Sequence, residues 1–311
     1  MDAVIEAKGL VKAYGAVRAV DGLDLSVRKG TVFSLLGPNG AGKTTTVEIL
    51  EGLRRPTAGT ARVLGHDVGR DYRKIRARVG VLPQDFEPFD RLTPPEAVAY
   101  WARMFDHPAD RKAVAGLLEE VSLSHRAKVQ AMRLSGGEKR KLGIAMALVS
   151  EPELLFLDEP TTGLDPKARR DLWGLIRRIR SEGRTVVLTT HYLDEAEQLA
   201  DEVVILHKGK AVARGSPEEL VASNAGMTTI VMRGAGEEGL RELARRGIDA
   251  ELDPDGDVLV RVADPAEMRA VLAKLSSIQI PLKDMYTKRG TLEDVFLKLV
   301  GAKMEEGVIQ E

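Results

Sequence analysis

Short apolar runs that end in a polar or charged residue recur along the chain. Thr31–Leu36, Val79–Gln84, Leu154–Leu157 and Thr185–His191 each carry the Val, Leu or Phe content of a strand buried on both faces. Helical spacing follows the first run at Thr45–Leu53 and returns at Pro94–Met104, Arg111–Val121 and Leu142–Ser150, with Pro94-Pro95 suited to a helix start. Ahead of these, alternation in Val4–Lys8 and Leu23–Val27, with Asp21-Gly22 and Lys29-Gly30 as turn punctuation, predicts antiparallel strands. Leu53–Thr60 reads as a turn into Ala61–Leu64. The pattern therefore predicts buried parallel strands feeding helices, with a helical insertion between Gln84 and Leu134.

The pattern changes after Leu220. Ala222–Gly226 reads as a linker, and beyond it Thr228–Met232, Asp257–Val262 and Ile278–Met285 read as strands, with Ile248–Leu252 an extra one. Gly236–Arg246 and Pro265–Lys274 read as helices, an order that suggests a small α/β sandwich of ferredoxin-like type. Thr291–Leu299 is amphipathic, its apolar face either packing in the core or serving a partner in a regulatory or dimer-stabilising role, and no catalytic constellation is visible in this region.

The polar residues at the ends of the buried runs carry the chemistry. Gly37, Gly42, Lys43 and Thr44 fit G-x-x-x-x-G-K-[ST] between a strand and a helix. In that motif small residues let backbone N–H groups close around phosphate oxygens, the lysine reaches the terminal phosphates and the hydroxyl serves Mg²⁺. Asp158 and Glu159 end the third run, where an acid pair divides the labour: Asp158 holds Mg²⁺ through water and Glu159 orients an attacking water or takes its proton. His191 ends the fourth run, where its ring is structural or bonds a γ-phosphate oxygen. Gln84, a lone polar residue at a strand end, reads as surface or site. Tyr14, in the loop ahead of Ala16–Val20, either packs on the sheet edge or stacks on a purine. Polar candidates at the C-terminal ends of parallel strands are how open α/β sheets build ligand sites, so the fold class is α/β.

Composition narrows the partners. Among 311 residues, 46 Lys and Arg against 47 Asp and Glu leave a formal charge of −1, which provides no field for nucleic acid or an anionic membrane. Cysteine is absent, which excludes disulfides and thiolate metal sites. No apolar run approaches the roughly 20 residues of a membrane helix, and Met1–Glu6 lacks the pattern of a secretion signal, so a soluble, unsecreted chain is expected.

With Tyr14, Gly37–Thr45, Gln84, Leu134-Ser135-Gly136-Gly137-Glu138, Leu154–Glu159, Gly163-Leu164-Asp165 and His191 in that order, the sequence resembles the nucleotide-binding subunit of an ABC transporter. Leu134–Glu138 discriminates, because many other phosphate-loop ATPases lack a Ser-Gly-Gly turn before a helix. The resemblance implies a P-loop ATPase fold, with an antiparallel β subdomain and a helical subdomain, over residues 1–222. A linker at 223–227, an accessory α+β domain at 228–300 and a mobile tail at 301–311 complete the expected organisation.

It also implies roles. Tyr14 stacks on adenine, while Gly37, Pro38, Asn39, Gly40, Ala41, Gly42, Lys43, Thr44 and Thr45 hold the phosphates of ATP. Thr44, Gln84 and Asp158 serve Mg²⁺, and Gln84 relays to the partner. Glu159, His191 and Gln84 form the catalytic set. Ser135, Gly136, Gly137 and Asp165 serve the ATP of the opposite subunit in a head-to-tail homodimer. Glu138 departs from the glutamine of the family's commonest signature; an acid near a triphosphate is unfavourable unless it points away, which places Glu138 outside the site. Thr161–Pro166, His191–Glu197 and Gly215–Leu220 resemble the daunorubicin-resistance type of exporter ATPase, which implies a separate membrane permease and a place on the inner face of the cell membrane. A soluble ABC-type ATPase acting on nucleic acid or the ribosome is the other reading, but the paired nucleotide domains or coiled-coil insertions common there are not visible.

Overall fold

The apolar runs expected as buried strands do form one sheet. The computed structural model describes residues 3–107, 110–225, 228–262, 265–276, 280, 282–301, 304–305 and 308–309. The chain begins with β1 (Ala3–Tyr14), β2 (Val17–Arg28), β3 (Val32–Leu36), α1 (Lys43–Leu50), β4 (Ala58–Val63), β5 (His66–Asp67), α2 (Tyr72–Arg76) and β6 (Val79–Leu82). The expected helical insertion follows as α3 (Pro94–Met104), α4 (Arg111–Glu120) and two 3₁₀ turns, before α5 (Gly136–Ala147). Then come β7 (Leu154–Asp158), α6 (Pro166–Ser181), β8 (Thr185–Thr190), α7 (Leu193–Leu199), β9 (Glu202–His207), β10 (Lys210–Gly215) and α8 (Pro217–Leu220).

The central sheet has the order β10-β9-β3-β8-β7-β6, parallel from β9 to β6, with β10 an antiparallel edge. A second sheet, β2-β1-β4-β5, is antiparallel. Alternate residues of the central strands feed two separate cores. Leu154 and Phe156 of β7 pack with β1, β2 and α1, whereas Leu155 and Leu157 pack with the helical insertion, α5 and α6. Burial on both faces is why these runs read as unbroken hydrophobic stretches.

Several elements depart from expectation: β2 runs through Asp21-Gly22 without a turn, β4 begins at Ala58 within the expected turn, and α2, α7, β9 and β10 were not expected. Helix α5 begins at Gly136 rather than at Leu142, because Ser135 caps it. Helix α6 was not expected, although Asp165 as N-cap and Pro166 at the first helical position mark its start, and Leu172, Leu175, Ile176 and Ile179 form a buried stripe at helical spacing. Tyr14 lies not in a loop but at the end of β1, opposite Val17.

By contact the chain divides into Met1–Pro217 with Ala302–Glu311, and Glu218–Gly301. The division thus precedes the linker expected at 223–227, whose residues 223–225 end the π-helical turn Val221–Ala225 and whose residues 226–227 lie outside the described residues. In the second unit β11 (Thr228–Arg233), α9 (Gly236–Arg245), β12 (Glu251–Leu252), β13 (Val258–Val262), α10 (Pro265–Leu275) and β14 (Asp284–Arg289) make a four-stranded sheet of order β12-β13-β11-β14, antiparallel throughout. This is the ferredoxin-like order expected from the pattern. The last strand begins later than expected, and 278, 279 and 281 lie outside the described residues. Helix α11 (Leu292–Val300) starts with a reciprocal Thr291–Asp294 cap and buries Leu292, Val295 and Phe296. Where a mobile tail was expected, β15 (Met304–Glu305) pairs with β16 (Val308–Ile309); the other residues after Gly301 lie outside the described residues. Among the described residues no helix is long and apolar enough to cross a membrane.

Candidate active site

Gly37–Gly42 turns the chain from β3 into α1, and neighbouring backbone requires glycine at both ends of the turn. A Cβ on Gly37 would lie 2.4 Å from the Leu206 carbonyl oxygen, and one on Gly42 would lie 2.1 Å from that of Ala19. Gly42 also holds a φ of +99°. The loop is thus pressed between β2 and β9, and the Gly37 N–H donates to the Thr190 carbonyl of β8 at 3.2 Å.

Lys43 folds back into this loop. Its Nζ donates to the carbonyls of Gly37 (2.9 Å) and Pro38 (3.1 Å) and lies 3.3 Å from Glu159 Oε1. Burial pulls the ammonium below its ordinary pKa, and the charges of Glu159 and Asp158 oppose that pull.

Asp158, the last residue of β7, accepts hydrogen bonds at Oδ1 from Thr189 Oγ1 and, at 3.4 Å, from Thr44 Oγ1. Burial still raises its pKa against these two hydroxyls, with the Glu159 charge adding to the rise. Glu159 leaves the strand with φ +46°, a left-handed conformation that costs a non-glycine residue about 1 kcal/mol or more. Its N–H is held by Thr189, through the carbonyl at 3.2 Å and Oγ1 at 2.9 Å. Thr162 Oγ1 donates to its Oε2 at 3.1 Å, and His191 Nδ1 lies 3.1 Å from the same oxygen, without hydrogen-bond alignment. Burial opposes the Glu159 charge, but His191 and Lys43 outweigh it and take the pKa down to about 2. The carboxylate is therefore ionised and held from three sides.

Ala19, Asn39, Gly40, Gly42, Lys43, Thr44, Thr45, Gln84 and Glu159 line an open cleft of about 280 Å³. A larger, more apolar groove of about 440 Å³ shares Thr44 and Gln84 with it and includes Glu51, Tyr72 and Trp101. The cleft offers an ammonium, a hydroxyl and a glycine loop to an anion, and ionised Glu159 beside them to a water. Gln84 is exposed on the turn after β6, and its neighbour Pro83 accepts from Arg140 Nη1 of α5 at 3.2 Å.

Asp158 and His191 do not line the cleft themselves but touch its lining residues Thr44 and Glu159, and Ser135, Gly136, Gly137, Asp165 and Tyr14 are also not among the lining residues. Ser135 caps α5 in a reciprocal arrangement: Glu138 N–H donates to Ser135 Oγ (3.3 Å) and Ser135 N–H to Glu138 Oε2 (2.9 Å). Glu138 Oε1 accepts from Arg126 Nε at 2.7 Å, so the acid is turned to its own helix start and paired there. Gly136 faces Leu164 of the turn before α6, and Gly137 faces α6 itself, where a Cβ would come within 2.9 Å of Ala168 Cβ. Asp165 Oδ1 accepts from the N–H groups of Lys167 and Ala168, both at 2.9 Å. Tyr14 is 42% exposed, with Lys12 Nζ 5.3 Å and Arg54 Cζ 5.7 Å from its ring centroid. Pro38 and Ala41 support the loop from behind: Pro38 through its carbonyl to Lys43 and Ala41, Ala41 through its carbonyl to Gly209 N–H at 3.1 Å.

Residues 20–162 match the ABC transporter family. The chain is also 39% identical over 311 residues to Nod factor export ATP-binding protein I of Ralstonia nicotianae, covering 97% of this chain and 95% of that protein. The chain belongs to the ABC transporter family. Within that family it is similar to the daunorubicin/doxorubicin resistance ATP-binding protein DrrA of Streptomyces peucetius, 39% identical over 316 residues that cover 99% of this chain and 95% of that protein. A dimeric ATP-binding cassette in a post-hydrolysis state, bound to ADP and phosphate, superposes with a TM-score of 0.62 at 26% identity, covering 68% of this chain and 98% of that one. The chain is a nucleotide-binding ABC ATPase.

Several residues that shape this ABC site were not expected. Thr189 holds Asp158 and the Glu159 N–H, Thr162 holds the Glu159 carboxylate, and Ala19 forces Gly42. Thr189 could have been found from the strand-end run Thr189-Thr190-His191 beside an acid pair; Ala19 carries no such signal.

Proposed function

We propose that this chain is the ATP-hydrolysing subunit of a membrane exporter of drug, lipid or polysaccharide type, in which two copies close head to tail on two ATP molecules and drive a separate permease from the inner face of the membrane. The observation that carries the reading is that Lys43, Thr44 and Glu159 line one cleft at the ends of β3, β7 and β8, with Asp158 against Thr44 and His191 against Glu159. Relatives named for export are matched over nearly the whole chain, which favours this reading over a soluble ATPase acting on nucleic acid or the ribosome.

In this reading phosphate oxygens compete with Glu159 for the Lys43 ammonium. The freed Glu159 Oε1 accepts a hydrogen bond from water aimed at the γ-phosphorus; the new P–O bond forms as the bond to the β,γ-bridging oxygen breaks, ADP leaves on that oxygen, and the water's proton passes to an oxygen of the released phosphate. A carboxylate with a pKa near 2 is a weak base, so Glu159 orients the water more than it deprotonates it. His191 faces the γ-phosphate, and Gln84 contacts the metal and the partner side. Thr44 and Asp158 bring a hydroxyl and a carboxylate together, hard oxygen donors that fit Mg²⁺ and would hold it there. Mg²⁺ bound there neutralises phosphate charge. Tyr14 receives the adenine. Ser135, Gly136, Gly137 and Asp165, away from the cleft of their own chain, serve the nucleotide of the second copy, so hydrolysis requires the dimer.

The deciding experiment is Glu159→Gln in the full chain, purified with and without detergent-solubilised host membranes. Retained ATP binding, an ATP-trapped dimer, turnover lowered by about 10²-fold or more and co-purification of a polytopic membrane protein are expected. Unchanged turnover removes Glu159 from its role, and recovery with ribosomes or nucleic acid alone removes the exporter.

A further inference from the structure

Tyr192, between β8 and α7, stands where its side chain does not suit the local structure. It is the N-cap residue of α7, a position at which Ser, Thr, Asp or Asn bonds a free helix N–H, and its side chain makes no such bond. Its ring lies instead against His191, with centroids 4.3 Å apart and planes inclined by 34°. The guanidinium of Arg169, near the start of α6, lies over the same Tyr192 ring with Cζ 4.2 Å from the centroid.

Hydrogen bonds fix both partners of this contact. Arg169 Nη1 donates to Asp194 Oδ2, in the first turn of α7, at 2.9 Å, and Asp194 Oδ1 accepts from Glu195 N–H at 2.9 Å. The Arg169 N–H donates to the Asp165 carbonyl at 3.0 Å, which roots the residue in the capped start of α6. Tyr192 N–H donates to Thr190 Oγ1 at the end of β8 (2.9 Å), and the Tyr192 carbonyl accepts from Ala196 N–H (3.3 Å). Arg169 does not line the cleft, so its charge is committed to the Tyr192 ring and to Asp194.

The imidazole depends on such packing. His191 Nδ1 lies 3.1 Å from Glu159 Oε2 but is buried without an aligned hydrogen bond. The outer torsion of a histidine is broad and two-fold, so a ring lacking a directional bond at this nitrogen is held by what lies against its faces. We propose that Tyr192 and Arg169 are positioning residues for His191: the Arg169 cation holds the Tyr192 ring, and that ring holds the imidazole beside Glu159 in the orientation that meets the γ-phosphate. Neither touches nucleotide. The inference rests on the reading that His191 acts on ATP.

The test compares Tyr192→Leu, Tyr192→Phe, Arg169→Ala and His191→Ala in the full chain by thermal melting, steady-state ATPase and proton–carbon NMR of the histidine rings. The His191 resonance is identified among the five histidines by its absence in His191→Ala. Tyr192→Leu and Arg169→Ala are expected to lower kcat by about tenfold while the KM for ATP holds, because an imidazole displaced by part of an ångström loses alignment with the transition state rather than ground-state binding. Tyr192→Phe keeps the ring for both neighbours and recovers most of the turnover. In Arg169→Ala the His191 resonance shifts, although the side chain removed packs on Tyr192 and Asp194. Wild-type kcat in folded Tyr192→Leu or Arg169→Ala overturns the proposal, and so does a loss carried in KM, an unmoved His191 resonance in Arg169→Ala, or a Phe variant as impaired as Leu. If Tyr192→Leu does not fold, Arg169→Ala, at a side chain 21% exposed, carries the test through kcat and the resonance together. Turnover kept in His191→Ala fails the underlying site reading, whereas turnover lost there and kept in Tyr192→Leu and Arg169→Ala fails this inference alone.

Discussion

The cleft at the ends of β3, β7 and β8 and the adjoining starts of α5 and α6 are both built from glycines and acids, but they treat charge in opposite ways. At and behind the cleft wall Lys43, Asp158, Glu159 and His191 are all less than a tenth exposed, and burial is the largest influence on the ionisation of Lys43, Asp158 and Glu159. At the helix starts Asp165 is exposed and saturated by two backbone N–H groups, and Glu138 is saturated by its own helix and Arg126. A buried, mutually dependent cluster responds strongly to an incoming phosphate or metal charge. A locally satisfied cap holds shape and leaves its face free for another molecule. The same residue types thus make a reactive centre in one place and a rigid surface in the other.

The sharpest test of this contrast is Lys43→Ala. It should lower ATP affinity, cut turnover by about 10²-fold or more and destabilise the fold by about 1–3 kcal/mol, because buried Glu159 loses its lysine and keeps only Thr162 and His191 beside its other oxygen. ATP titration and urea unfolding at neutral pH read these effects; survival of both affinity and turnover would mean the phosphate site lies elsewhere.

Glu51, on the groove beside the cleft, extends the contrast to pH. Burial, with Asp158 and Glu48 adding, pushes its pKa up to about 8, above the 4.5 of an ordinary glutamate. The folded state therefore holds a proton that the unfolded state releases, a contribution to stability fully present below pH 4.5 and lost as pH rises through 8. Over that interval the wild type should lose on the order of a few kcal/mol that Glu51→Gln retains, and parallel pH–stability curves for the two would refute the buried neutral acid.

Smaller effects belong to the caps. Ser135→Ala and Asp165→Ala should each cost about 1 kcal/mol of stability, the usual value of an N-cap, with ATP binding by the single chain unchanged. Glu138→Gln keeps the reciprocal cap and loses only the Arg126 pair. A loss below about 1 kcal/mol with turnover unchanged is expected, and a marked change in turnover would bring Glu138 into the site.

The contrast also marks what could be read in advance. The phosphate loop, the acid pair and the buried strands are continuous in the chain, so spacing alone exposes them. Glu138 looked like a departure in a phosphate signature, yet Ser-x-x-Glu ahead of a helical pattern is a capping box, a local signal that places the acid correctly. Helix α6 was equally legible in Asp165-Pro166 and its apolar spacing. By contrast the Ala19 carbonyl that forces Gly42, the Thr189 hydroxyl on Asp158 and the Trp173–Glu195 contact join residues from separate elements, which no local pattern encodes.

By itself the sequence determined the parallel α/β core, the phosphate loop, the acid pair and the ferredoxin-like order of the second unit, because each is a matter of periodicity or of neighbours along the chain. Only the tertiary structure decided that Lys43 is engaged by Glu159, that Glu159 is drawn to a pKa near 2 while Asp158 beside it is raised, and that Ser135 and Asp165 lie outside the cleft of their own chain. Those outcomes depend on burial and on charges brought together from β3, β7 and β8. Distance in space, not spacing in sequence, sets their strength.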